Sequence, residues 1–244
     1  MDDLLLTLDV DWAPDFVIDH VAELLVERGV RATWFITHSS PALQRLRRHP
    51  DLFEIGIHPN FLTGSTHGSD PTSVLKHCLD LVPEARSMRT HSLVQSTPIL
   101  DLVLSTTGIS TDVSLFLPRM SALRPVDYWR RGRRLLRVPY FWEDDFEIGH
   151  PAPLWELGAV DRVGPGLKIF DFHPLLVYLN SMDLDCFEGL KRSPGGVRGA
   201  SVEQLAPWVR QGPGPRTLFL EIADCLRDQG RSRCIRELQP ASST

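Results

Sequence analysis

Two aspartates, Asp9 and Asp11, stand two residues apart at the end of the apolar run LLLTLDV. On a strand, residues at that spacing point to one face. Carboxylates sharing a face repel unless a proton or a cation lies between them. A divalent ion resolves the repulsion: one carboxylate holds it, and the other takes a proton from water beside it. The other reading of Asp11 is a helix cap or an acceptor for loop amides. His58 follows FEIGI and precedes Pro59, a strand-end position suited to a metal ligand. His67 lies between Gly64 and Gly68, in a loop free to fold back toward it. Arg89 and His91 repeat the two-residue spacing in MRTHS, and the planar fork of Arg89 can hold a carboxylate. His173 ends IFDF and precedes Pro174, which suits a general acid or a ligand. Asp171, two residues earlier, either orients that histidine or lines the core rim, and either Asp171 or Asp144 is expected to keep it protonated. VPYFWEDD sets Trp142, Glu143 and Asp144 together. Aromatics beside acids suit a sugar. The same residues also read as a buried strand entering an acidic helix start.

The elements that must position these residues alternate. Residues 4–10 read as a buried strand, 15–28 as an amphipathic helix stopped by Gly29, and 32–37 as a β-branched and aromatic strand. A helix over 41–48 and a strand over 53–57 follow. Such alternation predicts parallel β-α units. Beyond it, helices are expected at 73–82, 99–106, 202–211 and 217–229. Strands are expected at 87–90, 112–117, 135–138 and 167–172. Residues 119–134 and 146–166 read as long loops, and the tail from Arg236 as frayed. Without a linker or an internal repeat, 1–244 is expected to be a single domain.

The chain has 244 residues, 42% hydrophobic, and a net charge of −5, which describes a globular protein able to bury its own core. The basic run Arg130, Arg131, Arg133, Arg134 and Arg137 reads as a solvated face, so no nucleic-acid partner is expected. Cys78, Cys186, Cys225 and Cys234 form no C-x-x-C pair and read as reduced thiols. The N-terminus lacks a basic segment followed by an apolar one, and no apolar run reaches the ~20 residues of a membrane span. The expected location is therefore cytoplasmic.

With these motifs in this order, the chain resembles the polysaccharide deacetylase family, the NodB-type or carbohydrate esterase family 4, across about residues 4–180. LTLDVDW is similar to the first family motif, EIGIHPNF to the second, RTHS to the third, FWEDD to the fourth and FDFHP to the last. The resemblance implies a distorted (β/α) barrel of about seven parallel strands. It implies Asp9 as general base, Asp11 and His58 as metal ligands, Arg89 as partner of the base and His173 as general acid. Two departures stand out. Val10 separates aspartates that are adjacent in the family, and Leu62 occupies the place of a second histidine. His67 is the expected third ligand, with His91 the runner-up and otherwise a substrate-side residue. HPNF, SLFLP and HPLLVYLN resemble the branch associated with surface-polysaccharide biosynthesis. The implied reaction is removal of an N-acyl group, acetyl first, from an amino sugar at one divalent ion, zinc first. The expected substrate is soluble: a nucleotide-linked, lipid-linked or antibiotic-borne amino sugar. The alternatives are a non-sugar amidase or deformylase, and an inactive barrel that only binds glycan.

Overall fold

A computed structural model of the chain describes residues 3–238. Its elements run β1 (Leu4–Asp9), α1 (Asp15–Val26), β2 (Ala32–Ile36), α2 (Pro41–Leu46), β3 (Phe53–Ile57), α3 (Pro71–Leu81), β4 (Ser87–Met88), α4 (Thr97–Thr106) and β5 (Thr111–Phe116). Then come β6 (Val126–Arg130), β7 (Arg133–Tyr140), β8 (Trp142–Glu143), α5 (Asp144–Gly149), α6 (Leu157–Asp161), β9 (Lys168–Phe172), α7 (Pro174–Leu179), α8 (Asp185–Lys191), α9 (Val202–Leu205) and α10 (Pro215–Gln229). The sheet order is β6-β7-β5-β4-β3-β2-β1-β9-β8, with every pairing parallel except β6 on β7.

Apart from the antiparallel β6, the two ends of that order meet. β7 pairs with β5 as far as Tyr140, and the chain then crosses to β9: the Phe141 amide donates to Ile169 O at 3.0 Å, and Trp142 pairs with Phe170. Counting the continuous β7–β8 run as one strand, seven parallel strands close into a ring. This is the expected distorted (β/α) barrel. The distortion is visible in β4 and β8, which keep two residues each.

Strand alternation separates two environments. Leu6 and Leu8 of β1 and Trp34 of β2 face the helices and are fully buried. The alternate positions, including Thr7 and Asp9, Thr33 and Phe35, Glu54 and Gly56, and Ser87, line a largely polar interior. Gly56 is required there. A Cβ would lie 2.7 Å from the Phe35 ring and 2.8 Å from Ser87 O.

Several elements differ from expectation. Residues 119–134 are not a plain loop: β6 and β7 form a hairpin turning at Arg131 and Gly132, both at positive φ. Its exposed charged residues hide the apolar alternation that marks a strand. Residues 146–166 contain the end of α5 and all of α6. The helix expected over 202–211 shortens to α9 and a single 3-10 turn, Ala206–Trp208, with Pro207 inside it. From Arg236 the described chain is docked rather than frayed. The Ile235 amide donates to Thr33 Oγ1 at 2.9 Å, and that of Arg236 to the buried Glu54 carboxylate at 2.7 Å. Polar plugging of a barrel end leaves no periodicity to read. The tail call beyond Leu238 lies outside the described residues.

Candidate active site

The chemistry-bearing residues gather where the parallel strands end. β1 gives Asp9, and the chain then turns sharply: Asp11 (φ 40°) and Trp12 (φ 57°) both occupy the left-handed region. Non-glycine residues there are strained, and the surroundings must hold them. Thr37 Oγ1 accepts from the Trp12 amide at 3.2 Å, and Val10 O from that of Ala13 at 2.9 Å. Asp11 is therefore aimed by a turn, not by the strand alternation that relates it to Asp9 in the sequence. His58 follows β3. His91 follows β4, where its amide donates to Pro59 O at 3.0 Å and ties the two strand exits together.

Three ligand atoms form a near-equilateral triangle. Asp11 Oδ1 is 3.2 Å from His58 Nε2 and 3.1 Å from His91 Nδ1, and the two nitrogens are 3.3 Å apart. Three donors on a tetrahedral ion with bonds of ~2.0–2.1 Å sit ~3.3 Å apart by geometry. The triangle thus fits such an ion, and these residues form a group able to hold one. Burial works to raise the Asp11 pKa. Hydrogen bonds from His58 and His91, and the charge of His173, outweigh it and hold the carboxyl well below its usual range. Burial likewise opposes the His91 imidazolium, but Asp11 prevails and raises it.

His67 is not brought to the triangle. It is buried under the Trp12 ring and stacked on His77, with ring centroids 4.9 Å apart, and its Nδ1 accepts from the Asn60 amide at 3.2 Å. Burial first, and then the charges of His77 and His58, push it down to about 4. Leu62, at the place of the family's second histidine, is exposed at 44%. His91, the runner-up in the sequence, stands in the position expected of His67. It arrives from a different strand, which no spacing within EIGIHPNF could reveal.

Behind the triangle lies a buried charge network. Arg89, fully buried, donates from Nη1 to Asp9 Oδ1 at 2.9 Å and to Asp171, and from Nη2 to Thr7 Oγ1 at 2.8 Å. The Phe35 and Tyr140 rings flank its guanidinium at 4.8 and 4.4 Å. Burial disfavours the guanidinium charge, but Asp171 and Asp9 outweigh that and raise its pKa. Burial drives Asp171 well above the carboxylate range even against Arg89. Asp9 Oδ2 lies 3.4 Å from His58 Nδ1, on the opposite edge of the ring from Asp11.

His173 caps α7, and its ring touches Asp144 rather than Asp171. Asp144 accepts from the His173 amide at 2.8 Å and lies 2.6 Å from Nδ1. The far nitrogen, Nε2, stands 3.7 Å from Asp11 Oδ2, beside the triangle. Burial alone would lower His173. Asp144, with Asp145 and Asp11, overrides it and holds the imidazolium well above its usual range. Asp9, Asp171 and His173 bring ligand-type atoms within 4.8 Å of one another.

Trp142 does not serve as a sugar platform. It is fully buried against Trp155, Phe170 and Phe172, and its indole donates to Leu154 O at 3.3 Å. The buried-strand reading of VPYFWEDD is the one the fold adopts, with Asp144 opening α5. Glu143 accepts from Tyr140 Oη at 2.9 Å, and burial, with Asp145 nearby, pushes it up to about 8. The aromatics that do reach the mouth are Trp12, whose ring centroid is 5.2 Å from that of His91, and Phe187. Trp12 was legible as the aromatic ending LTLDVDW. Phe187 carried no signal, since the sequence marked neither α7 nor α8.

Two cavities meet at the triangle. One, about 200 Å³, includes His173, Leu175, Leu176 and Leu184 in its wall; the other, about 450 Å³, includes Trp12, Thr63 and Ser65. Among the described residues no helix is long and apolar enough to cross a membrane.

The WbmS-like polysaccharide deacetylase family matches residues 6–191. The crystal structure of a candidate polysaccharide deacetylase involved in O-antigen biosynthesis from Bordetella bronchiseptica is 34% identical. The match covers 90% of this chain and 89% of that one, with a TM-score of 0.75. More distant structures include a family 4 acetyl xylan esterase from Clostridium thermocellum in complex with a cobalt ion, at 14% identity and TM-score 0.47, covering 96% of this chain and 88% of that one. The peptidoglycan deacetylase PdaC from Bacillus subtilis follows at 13% and 0.45, covering 97% and 89%. Likenesses this remote carry no argument about chemistry. No curated protein matches the chain.

Proposed function

The chain belongs to the WbmS-like polysaccharide deacetylase family, and from that premise we propose that it hydrolyses an N-acyl group, acetyl first, on an amino sugar. The reaction is proposed to take place at one divalent ion, zinc first, held by Asp11, His58 and His91. The triangle of donors 3.1–3.3 Å apart is the observation that carries this reading. A bound ion supplies a polarised acyl oxygen and an activated water.

The other roles follow from what each side chain touches. Arg89 fixes one oxygen of Asp9 and the other faces His58 Nδ1; with His173 within 4.8 Å, Asp9 is the carboxylate proposed to accept the water's proton. Asp171 shares the Arg89 guanidinium with Asp9, and burial raises its pKa against that charge. His173, kept protonated by Asp144, donates from Nε2 to the departing amine. His67 supports the loop that carries Asn60 and takes no direct part.

Elemental analysis of protein purified without chelator tests the reading. About one ion per chain is expected, lost in Asp11→Ala and His91→Ala and retained in His67→Ala. Retention in His91→Ala with loss in His67→Ala would restore His67 as the ligand and overturn the assignment.

A further inference from the structure

The larger cavity has a charge pattern that a neutral sugar does not need. Its wall carries Lys191 at the end of α8 and Arg198 just beyond, and among the described lining residues Asp11 is the one carboxylate. Asp11 is already engaged with His58 and His91. Cations therefore dominate this wall in a chain whose net charge is −5. Lys191, Phe187, Asp11 and His91 line both cavities, so a ligand bound at the triangle extends past Lys191 toward Arg198. The intervening segment, KRSPGGVR, contains no acid, and Gly195 (φ 89°) and Gly196 (φ 61°) take up backbone conformations that favour glycine.

Neither cation is consumed by the fold. Lys191 Nζ contacts Glu188 at 2.8 Å, but both side chains are about half exposed, and such pairs contribute little and exchange readily. Arg198 donates from Nη2 to Ser39 O, which leaves its other guanidinium donors for a ligand. A guanidinium fork and an ammonium on one wall match the oxygens of a phosphate. The smaller cavity is lined by Leu175, Leu176 and Leu184 together with His173, Asp145 and Glu188, and its leucine side suits the methyl of an acyl group.

Resting on the deacetylase reading above, we propose that the substrate is an amino sugar bearing a phosphate or diphosphate. The acyl group enters the smaller cavity on its leucine side, and the phosphate is bound by Arg198 and Lys191. A nucleoside diphosphate and a lipid diphosphate present the same oxygens to these side chains.

The test is calorimetric titration of the metal-loaded enzyme with inorganic pyrophosphate. Arg198→Gln and Lys191→Gln should each weaken binding by about tenfold, the effect of losing one charge-assisted hydrogen bond, with metal content unchanged. If pyrophosphate engages only the ion, the double variant binds it as the wild type does and the proposal is overturned. Titration with UDP and with farnesyl diphosphate separates the two sources, since the tighter ligand identifies the attached group. If neither binds at least tenfold more tightly than uridine or farnesol, the subsite does not exist. Turnover is read separately. An enzyme that binds pyrophosphate through Arg198 but releases no acetate from any N-acetylated sugar phosphate sinks the deacetylase reading and leaves the anion subsite standing. An active enzyme indifferent to both substitutions does the reverse.

Discussion

His173 shows how one contact sets a working pH. As the proposed general acid His173 must carry its proton, and Asp144, 2.6 Å from Nδ1, keeps that proton on to higher pH than a free histidine would. In Asp144→Asn the alkaline limb of the pH–rate profile should move down toward the ~6.5 of an unperturbed imidazole, and turnover at pH 8 should fall sharply. An unmoved limb would assign it to another group. The same raised pKa links to stability. A proton held more tightly in the folded state stabilises it fully below ~6.5, and that contribution fades as pH rises through the folded value. The thermal penalty of Asp144→Asn should therefore shrink at alkaline pH. Asp9 carries a sharper question, because it touches both Arg89 and the back of the His58 ring. Asp9→Asn should cut turnover by at least ~10²-fold with metal retained, as loss of a general base does. If the ion leaves as well, Asp9 acts by orienting His58, as carboxylates behind metal-bound histidines do.

At the scale of the element, the inward-facing row of β3 places the site. Glu54, Gly56 and His58 alternate inward, and Gly56 is the point where the Phe35 ring crosses the strand. That ring in turn flanks Arg89. Gly56→Ala pushes a methyl group into Phe35 and toward the backbone of Ser87. Overpacking of this kind costs ~1–3 kcal/mol, a fall in Tm of several degrees for a chain of this size. His58 is two residues away, so metal affinity should weaken in parallel, which elemental analysis and thermal melts read together. A variant as stable as the wild type would show that the ring has room to swing aside. β4 works differently. Its two residues pair with β3 and β5, and the turn after them, with Ser92 (φ 52°) and Leu93 (φ 55°) left-handed, directs His91 back over the barrel mouth.

Across the whole molecule, the barrel is closed at one end by chemistry and at the other by the chain's own tail. Thr33, Glu54 and Ser87 form a buried polar layer, and the amides of Ile235 and Arg236 supply its remaining donors. Ile235 is itself buried at 1% exposure. A chain ending at Arg233 loses that burial, worth ~1.5–3 kcal/mol for a large aliphatic side chain. It also leaves Glu54 short of a donor. The truncated protein should melt several degrees lower yet bind the proposed ion normally, since the triangle lies at the opposite mouth. Loss of metal at temperatures where it stays folded would show that the two ends are coupled.

The sequence by itself determined the alternation of the first sixty residues, and with it parallel β-α units; the barrel was what the family resemblance implied. Apolar strands and amphipathic helices each carry a local period. It also marked Asp9, Asp11, His58 and His173, because each stands at a strand end whose apolar run is visible, and Arg89 through its two-residue spacing from His91. Tertiary structure alone decided the partnerships. His91 rather than His67 completes the triangle because β3 and β4 are neighbours whose exits are tied by one backbone hydrogen bond. Of the two carboxylates the sequence left open, Asp144 rather than Asp171 serves His173 because the β7–β8 run crosses to β9 and closes the ring there. Trp142 is core for the same reason. Spacing along a chain records which way a side chain points from its own element; which group it meets is set by strand order and closure, and those arise from contacts between residues far apart in the chain.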